Sequence, residues 1–353
     1  MKNNKIKLGN KIISNESQPY IIAEIGVNHE CSIKMAKKMI FLAKKGGADA
    51  AKFQTYKAEL ITSKFAKGYW DTKKEKTKSQ FQLFKKYDLF EKKHYQELSD
   101  YCKKIKIEFM STPFDIEAVD MLDKLVRLYK VSSSDITNFP LLKKIASKNK
   151  PVILSTGAST IKEINQALIC LKKNKCKNIV LLHCILNYPT NDKDANLNMI
   201  TSLKNKFPNN LIGYSDHTLP SKEMKNLTTA YILGARVIEK HFTINKKMTG
   251  NDHYHSMDFK DLKKFKDELD YLQIIVGKKE KTFLKSEKKS RKFARRSIVA
   301  KNFIKKNQLI KLSDLICKRP GTGLEPSKLN FIIGKKAKRN LVEDQIITKK
   351  DIN

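Results

Sequence analysis

Two lysines and two histidines stand where a pocket for an anion and a metal ion would need them. Lys52 and Lys130 end the second and fourth of a series of short β-rich runs, and Ser133, Ser155 and Ser215 lie at the ends of the fourth, fifth and seventh. Two ammonium groups with several hydroxyls at one mouth suit a phosphate and a carboxylate. The plain alternative is that both lysines are solvated. Their place in apolar runs argues against it, because unpaired lysine is rarely enclosed. His217 follows the seventh run and His241 ends the eighth. If the strands close into a barrel, the two imidazoles are neighbours, with positions left for water and a substrate carbonyl. Each histidine alone reads as an ordinary hydrogen-bonding residue. Glu239 shares the strand and parity of His241 and can support the pair from below. Glu24, ending the first run, suits general acid–base work, water orientation or pairing with a lysine at the mouth. In the loop Asn251-Asp252-His253-Tyr254-His255, a His-x-His pair can bind metal by itself, but such loop pairs are weak signals. Asp252 reads as a substrate-hydroxyl contact.

These residues depend on elements that bring them together. The β-rich runs are 20–24, 48–53, 107–111, 128–131, 152–155, 179–183, 211–214 and 237–241. Helical periodicity lies between them, as in 35–45, 94–104, 116–124, 161–171 and 222–233. Eight runs alternating with helices predict a (β/α)8 barrel (TIM barrel), in which polar C-terminal strand ends converge on one mouth. A doubly wound open sheet is the alternative that periodicity leaves standing. The barrel domain is placed at 1–277, with an N-terminal extension at 1–19. The segment 61–90 is too long for an ordinary βα loop and reads as a lid or dimer-contact element. The charged stretch 278–292 reads as a linker. Beyond it, 293–353 is a small β-rich unit with an internal repeat: Asn307-Gln-Leu-Ile matches Asp344-Gln-Ile-Ile at an offset of 37. Two copies in so short a piece suggest pseudo-twofold symmetry and a need to dock on something else.

The chain has 353 residues and a formal charge of +36. Of its 72 basic residues seven are Arg, which leaves 65 Lys spread along every segment. Nucleic-acid readers use Arg for bidentate contacts and cluster their charge, so the pattern reads as a compositional bias at solvated positions, and no nucleic-acid partner is expected. No apolar run approaches the roughly 20 residues of a membrane span, and no apolar stretch follows the basic N-terminus as in a secretory signal. A soluble cytoplasmic protein is expected. Six cysteines without C-x-x-C spacing read as reduced thiols.

Several segments together resemble one family. They are Ile22-Ala-Glu-Ile-Gly-Val-Asn-His29, Lys52-Phe-Gln54-Thr-Tyr, Ser111-Thr-Pro-Phe-Asp115, Leu154-Ser-Thr-Gly157, Tyr214-Ser-Asp-His-Thr218 and Ile238-Glu-Lys-His-Phe242. In this order they resemble the bacterial sialic acid synthases, which condense phosphoenolpyruvate with N-acetylmannosamine. Arg295-Arg-Ser-Ile-Val299 and Lys318-Arg-Pro-Gly321 resemble the antifreeze-like (SAF) domain of those enzymes.

The resemblance implies a domain-swapped homodimer, with the SAF domain of one subunit closing the barrel mouth of the other. It implies a divalent metal, manganese or magnesium, on His217 and His241, polarising the open-chain aldehyde of the sugar. C3 of phosphoenolpyruvate would attack that carbon, water would add at C2, and phosphate would leave by C–O cleavage. Lys52, Thr112, Lys130, Ser133, Ser155 and Ser215 would hold phosphoenolpyruvate, with Glu24 as the central acid–base. Gln54, Asn187, Tyr188 and Asp252 would contact the sugar, joined by Arg319 from the partner subunit. The chain departs from the family pattern at Lys130-Val-Ser-Ser-Ser-Asp135, Gly-rich in many relatives, and at Gly250-Asn-Asp-His, where better-known members read Gly-Pro-Asp-His. The second of these loops faces the sugar. Relatives that make legionaminic or pseudaminic acid, or that take a 6-phosphorylated sugar, therefore define the alternative acceptors. A basic nucleic-acid-binding protein and a non-catalytic carbohydrate-binding relative are the rivals from other classes.

Overall fold

The computed structural model describes residues 4–70, 73–250 and 252–353. The chain divides into two units, Met1–Val276 and Gly277–Asn353. In the first, a hairpin of β1 (Ile6–Leu8) and β2 (Lys11–Ile13) precedes eight strands: β3 (Tyr20–Gly26), β4 (Ala50–Thr55), β5 (Glu108–Pro113), β6 (Tyr129–Val131), β7 (Val152–Ser155), β8 (Ile179–Cys184), β9 (Leu211–Asp216) and β10 (Val237–His241). All eight pair in parallel in the order β5-β4-β3-β10-β9-β8-β7-β6, and β5 lies against β6 to complete the ring. The first of the eight pairs with the last, from Val237 beside Tyr20 to His241 beside Glu24. That pairing is the closure of a TIM-like barrel and excludes the doubly wound alternative.

Strand parity sorts the side chains into two cores. Ile21, Ala23 and Ile25 face the helices with Ala51, Phe53, Leu181 and Ile238. Tyr20, Ile22, Ala50, Met110, Ile153, Leu182 and Val237 fill the barrel interior. Ile6, Leu8 and Ile13 of the hairpin join that interior layer. The extension at 1–19 is therefore, over its described part, a plug that buries apolar surface at the N-terminal end. Burial of three such side chains contributes several kcal/mol at about 1.5–3 kcal/mol each.

The helices begin on side-chain caps. Ser32 accepts from the Met35 amide ahead of Ile33–Gly46, and Thr160 with Glu163 forms a reciprocal capping box ahead of Ile161–Lys173. Both helices place lysines in their last turn, as the helix dipole favours. No described helix is long and apolar enough to cross a membrane. All six cysteines are free thiols.

The second unit holds the antiparallel pair β11 (Ser297–Ala300) and β12 (Leu315–Lys318). Its sequence repeat is also a structural one. Asn307 and Asp344 both take positive φ, at 69° and 63°. Gln308 and Gln345 accept the amides of Lys305 and Val342 through their side-chain oxygens. Ile304 and Leu341, themselves 37 residues apart, exchange both backbone hydrogen bonds. Equivalent residues pairing with each other put the pseudo-twofold axis between them. The two halves share one apolar core, including Ile298, Ile304, Leu341 and Ile347. Within the stretch read as a linker, Lys285–Glu287 forms a 3-10 turn and Lys288–Ala294 a short helix.

Candidate active site

At the C-terminal end of the barrel the same parity that buries Ile22, Ala50 and Leu128 turns polar. Glu24, Lys52, Thr112 and Lys130 line one small pocket with Ser155, Cys184, Ser215, Glu239 and His241. The Lys52 ammonium lies 2.6 Å from Glu24 Oε2 and 3.6 Å from Glu239 Oε2, and it donates to Thr112 Oγ1 at 3.1 Å. Lys130 Nζ is 3.3 Å from Glu239 Oε1, which also accepts from Ser215 Oγ at 2.9 Å. Gln54 Nε2 donates to the other oxygen of Glu24 at 3.1 Å. Two cations thus offset two carboxylates in a space where neither sign is tolerated alone.

The protonation balance follows from this packing. Burial pushes the Glu24 carboxyl up in spite of Lys52, with Glu239 adding to the rise. Glu239, although equally buried, is held at about 2 by Lys130 and Lys52. Lys130 is depressed by burial and by the charge of Lys52. A buried carboxyl pushed up beside one held low is the arrangement of an acid–base group with an electrostatic partner. Ser155 Oγ is buried and has no hydrogen-bond partner among the described residues. It is a free donor in the pocket that Lys130 also lines.

Above this floor the imidazoles gather. His217 and His241 have ring centroids 5.6 Å apart, with Tyr188 packed on His217 at 4.0 Å. His217 Nδ1 lies 2.7 Å from the Ile185 carbonyl, which fixes the ring so that its other nitrogen carries the lone pair. Asp252 Oδ2 faces His241 Nδ1 at 3.3 Å. Burial works against the Asp252 carboxylate, but His241, His255 and His217 outweigh it and hold its carboxyl well below the usual range. Burial works against a charged His241, but Asp252 and Glu24 raise its pKa. That field attracts positive charge, whether a proton or a metal ion. His241, Asp252 and His255 each offer a ligand atom, all within 4.8 Å of one another. Both nitrogens of His255 are buried with no hydrogen-bond partner among the described residues. Orphaned imidazole nitrogens beside a carboxylate fit a divalent ion.

A wider cavity of about 380 Å³ opens on this floor, and Gln54, Phe114, Tyr188 and His241 line both. Tyr69, Trp70, Leu83 and Phe84 of the 61–90 segment form one wall, and Asp252 and Asn138 lie on others. Residues 71 and 72 of that segment, and Asn251 of the loop after β10, lie outside the described residues. Aromatic walls with a few convergent polar groups suit a sugar.

Not every expected residue reaches these spaces. Asn187 is exposed and only its carbonyl is engaged, by Thr190 Oγ1, while its neighbours Leu186 and Tyr188 line the wide cavity. Arg319 lies in the second unit. Ser133 lines the small pocket, and its hydroxyl accepts the Gly157 amide at 2.9 Å. A Cβ on Gly157 would meet that oxygen at 2.8 Å, so only glycine permits the approach. His183, the last residue of the predicted run 179–183, faces the helices, where its Nε2 meets the Ala195 carbonyl at 2.8 Å. Cys184, unassigned from sequence, lines the pocket instead. Period-two alternation along β8 was the signal that separates the two. His255 was also left unassigned, and a loop offers no such periodicity.

Asn28 and His29 of the first motif are supports. Asn28 donates to the Phe242 carbonyl and to Ser256 Oγ, both at 3.1 Å, which ties β3 to the loop carrying Asp252. His29 stacks on Phe90 at 4.3 Å, and its Nδ1 accepts the Cys31 amide at 3.0 Å. Burial lowers its pKa to about 4. Between that value and about 6.5 the unfolded chain binds the proton more readily, so the contribution is complete above pH 6.5 and is lost as pH falls toward 4. The expected slope is about 1.4 kcal/mol per pH unit. Denaturant unfolding at several pH values checks this: His29→Gln flattens the acid limb, and an unchanged slope would refute the assignment.

Comparison with known proteins fits this geometry. The fold and site are those of a (β/α)8-barrel synthase. The NeuB family model matches residues 39–281, and an SAF domain model matches 295–353. The chain is 42% identical over 332 residues to the N,N'-diacetyllegionaminic acid synthase of Campylobacter jejuni, covering 93% of this chain and 98% of the relative. It is 33% identical to the N-acetylneuraminate-9-phosphate synthase of Drosophila melanogaster over 96% of this chain and 97% of the relative. The crystal structure of an N-acetylneuraminic acid synthetase from Leptospira borgpetersenii, in complex with citrate, is 35% identical and superposes with a TM-score of 0.72, covering 82% of this chain and 95% of that one. The chain belongs to the NeuB family and is an enzyme of that synthase family, with a C-terminal SAF domain.

Proposed function

We propose that the protein condenses phosphoenolpyruvate with the open-chain aldehyde of an N-acetylated aldose, N-acetylmannosamine in the first instance, to give a nine-carbon 2-keto acid and phosphate. The observation that carries this reading is the floor of the barrel. Two buried lysines, the unpartnered Ser155 hydroxyl and Thr112 converge on a space below the imidazoles. Lys52, Lys130, Ser133, Ser155 and Ser215 bind the phosphate and carboxylate, and Lys52 also holds Thr112 and Glu24 in place. Glu24, its carboxyl raised by burial, takes the proton from the water that adds at C2. Gln54, Tyr188 and Asp252 orient the sugar above it. A divalent ion, manganese or magnesium, held by His217 and His241, would supply polarisation of the aldehyde oxygen.

The acceptor has a second reading. A relative named for N,N'-diacetyllegionaminic acid is 42% identical, against 33% for the one named for N-acetylneuraminate 9-phosphate. That ordering favours a doubly N-acetylated sugar. Mass spectrometry of reactions run with phosphoenolpyruvate and each acceptor (N-acetylmannosamine, its 6-phosphate and the diacetamido sugar) decides between them. A nine-carbon acid with one sugar alone assigns it, and no product with any of the three refutes the reaction.

The assembly proposed is a homodimer in which the SAF domain of one subunit closes the barrel of the other and brings Arg319 to the sugar. Arg319→Ala is expected to raise the KM for the sugar about tenfold or more, the weight of one charge-assisted hydrogen bond, and to leave that for phosphoenolpyruvate unchanged. Steady-state kinetics checks this, and an unaltered sugar KM would count against the swapped arrangement.

A further inference from the structure

We propose that His255 is a further protein ligand of the divalent ion, joining the His217–His241 pair together with Asp252, so that the site favours a transition metal over magnesium. This rests on the metal reading above and deepens it, because the residue involved lies outside the pair assigned from the strands.

The case is geometric. His255 is fully buried, and its ring lies 5.0 Å from that of His241 and 5.6 Å from that of Tyr188. Ligand atoms of His241, Asp252 and His255 lie within 4.8 Å of one another, the span of one ion's coordination shell. Neither nitrogen of His255 has a hydrogen-bond partner among the described residues. A buried imidazole with a structural role satisfies at least one of its nitrogens, because an unpaired polar atom out of water is costly.

Three buried histidines outside the proposed metal site show the contrast. His253, two residues earlier in the same loop, places Nδ1 2.8 Å from Thr243 Oγ1 and Nε2 3.5 Å from Glu30. His29 and His183 are paired with backbone. His255 alone of these four lacks a partner, and it points at a carboxylate and a second imidazole. The loop is held for this purpose from two sides: Tyr254 Oη donates to the Tyr188 carbonyl at 3.1 Å, and Ser256 Oγ accepts from Asn28. Asp252 has two oxygens, so the one facing His241 can serve the ion while the other remains open to a sugar hydroxyl.

The donor set carries the selectivity. Magnesium favours an all-oxygen octahedron and surrenders its water reluctantly, whereas imidazole nitrogen suits zinc and cobalt. A donor set of imidazoles with one carboxylate therefore binds cobalt(II) or zinc more tightly than magnesium, and the added imidazole of His255 strengthens cobalt(II) and zinc most.

Isothermal titration of the full-length protein with cobalt(II), zinc and magnesium, without substrates, tests this. Wild type is expected to bind cobalt(II) at least about tenfold more tightly than magnesium, and His255→Ala and His255→Gln each to lose about 10–100-fold in cobalt(II) affinity, while magnesium changes less than about threefold. His255→Gln guards against a folding defect from the vacated space, and circular dichroism confirms that both variants are folded. His241→Ala is the comparator and should weaken every metal. Loss in His241→Ala with unchanged cobalt(II) affinity in both His255 variants would overturn this proposal and leave the two-histidine reading intact. No metal binding by wild type would overturn both.

Discussion

His241→Ala is expected to lower sugar-dependent phosphate release by about 10³-fold or more, with the fold intact. His241 stands at the end of β10, in register with Glu24, and it faces Asp252 while lining both the anion floor and the sugar cavity. On the proposed reading, its loss removes a ligand of the ion that would stabilise developing charge on the aldehyde oxygen. Such stabilisation amounts to several kcal/mol, and each 1.36 kcal/mol is a factor of ten. The substitution also leaves Asp252 without the imidazole that holds its charge. Stopped-time phosphate assays with excess manganese measure the loss. Phosphoenolpyruvate binding, followed by titration calorimetry, should persist because the lysines and serines below are untouched. Turnover within tenfold of wild type would remove His241 from the reaction.

The second large effect is on the floor. Lys52→Met deprives Glu24 and Glu239 of their shared cation, and breaking a buried pair by deleting one partner costs about 3–5 kcal/mol. The outcome should be lower stability and a KM for phosphoenolpyruvate raised at least about 100-fold, the range expected when one member of a buried charge pair is removed. Glu24, already pushed up by burial, is the carboxyl that takes up a proton in response. Lys52→Met with Glu24→Gln together should therefore recover much of the stability and none of the activity. Denaturant unfolding and steady-state kinetics on the same samples separate the two effects. A stable single variant with a normal KM would remove Lys52 from phosphoenolpyruvate binding.

The difference between Lys52 and the many other lysines shows how much of the site was legible in the sequence. The barrel followed from eight β-rich runs, and the residues at their ends were correctly gathered: Glu24, Lys52, Lys130, Ser155, Ser215 and His241 line one pocket. Alternation carried that information, because a residue two positions beyond an interior Ile22, Ala50 or Leu128 faces the same way. Where alternation was not followed, the reading slipped. His183 ends the run 179–183 as a polar residue, but it has the parity of Ile179 and Leu181, both facing the helices, and the inward position belongs to Cys184. Loops carry no such rule. His255 and Asn187 are both polar loop residues, and nothing in their spacing says that one is buried and the other exposed. The hairpin at Ile6–Leu8 and Lys11–Ile13 is not legible in the sequence, because six residues with four apolar ones look like a frayed terminus until the barrel they plug is present. The repeat in the second unit was legible because its turn residues recur as a set: Asn307 or Asp344 for positive φ, then Gln, then the Asp314 or Asp351 cap.

The most direct measurement is phosphate release from phosphoenolpyruvate by the purified protein, with manganese, with and without an N-acetylated aldose, and repeated in a chelator. The account predicts release that requires the sugar and stops when the metal is removed. Release without sugar, release unaffected by chelator, or none with any acceptor of the panel would contradict it.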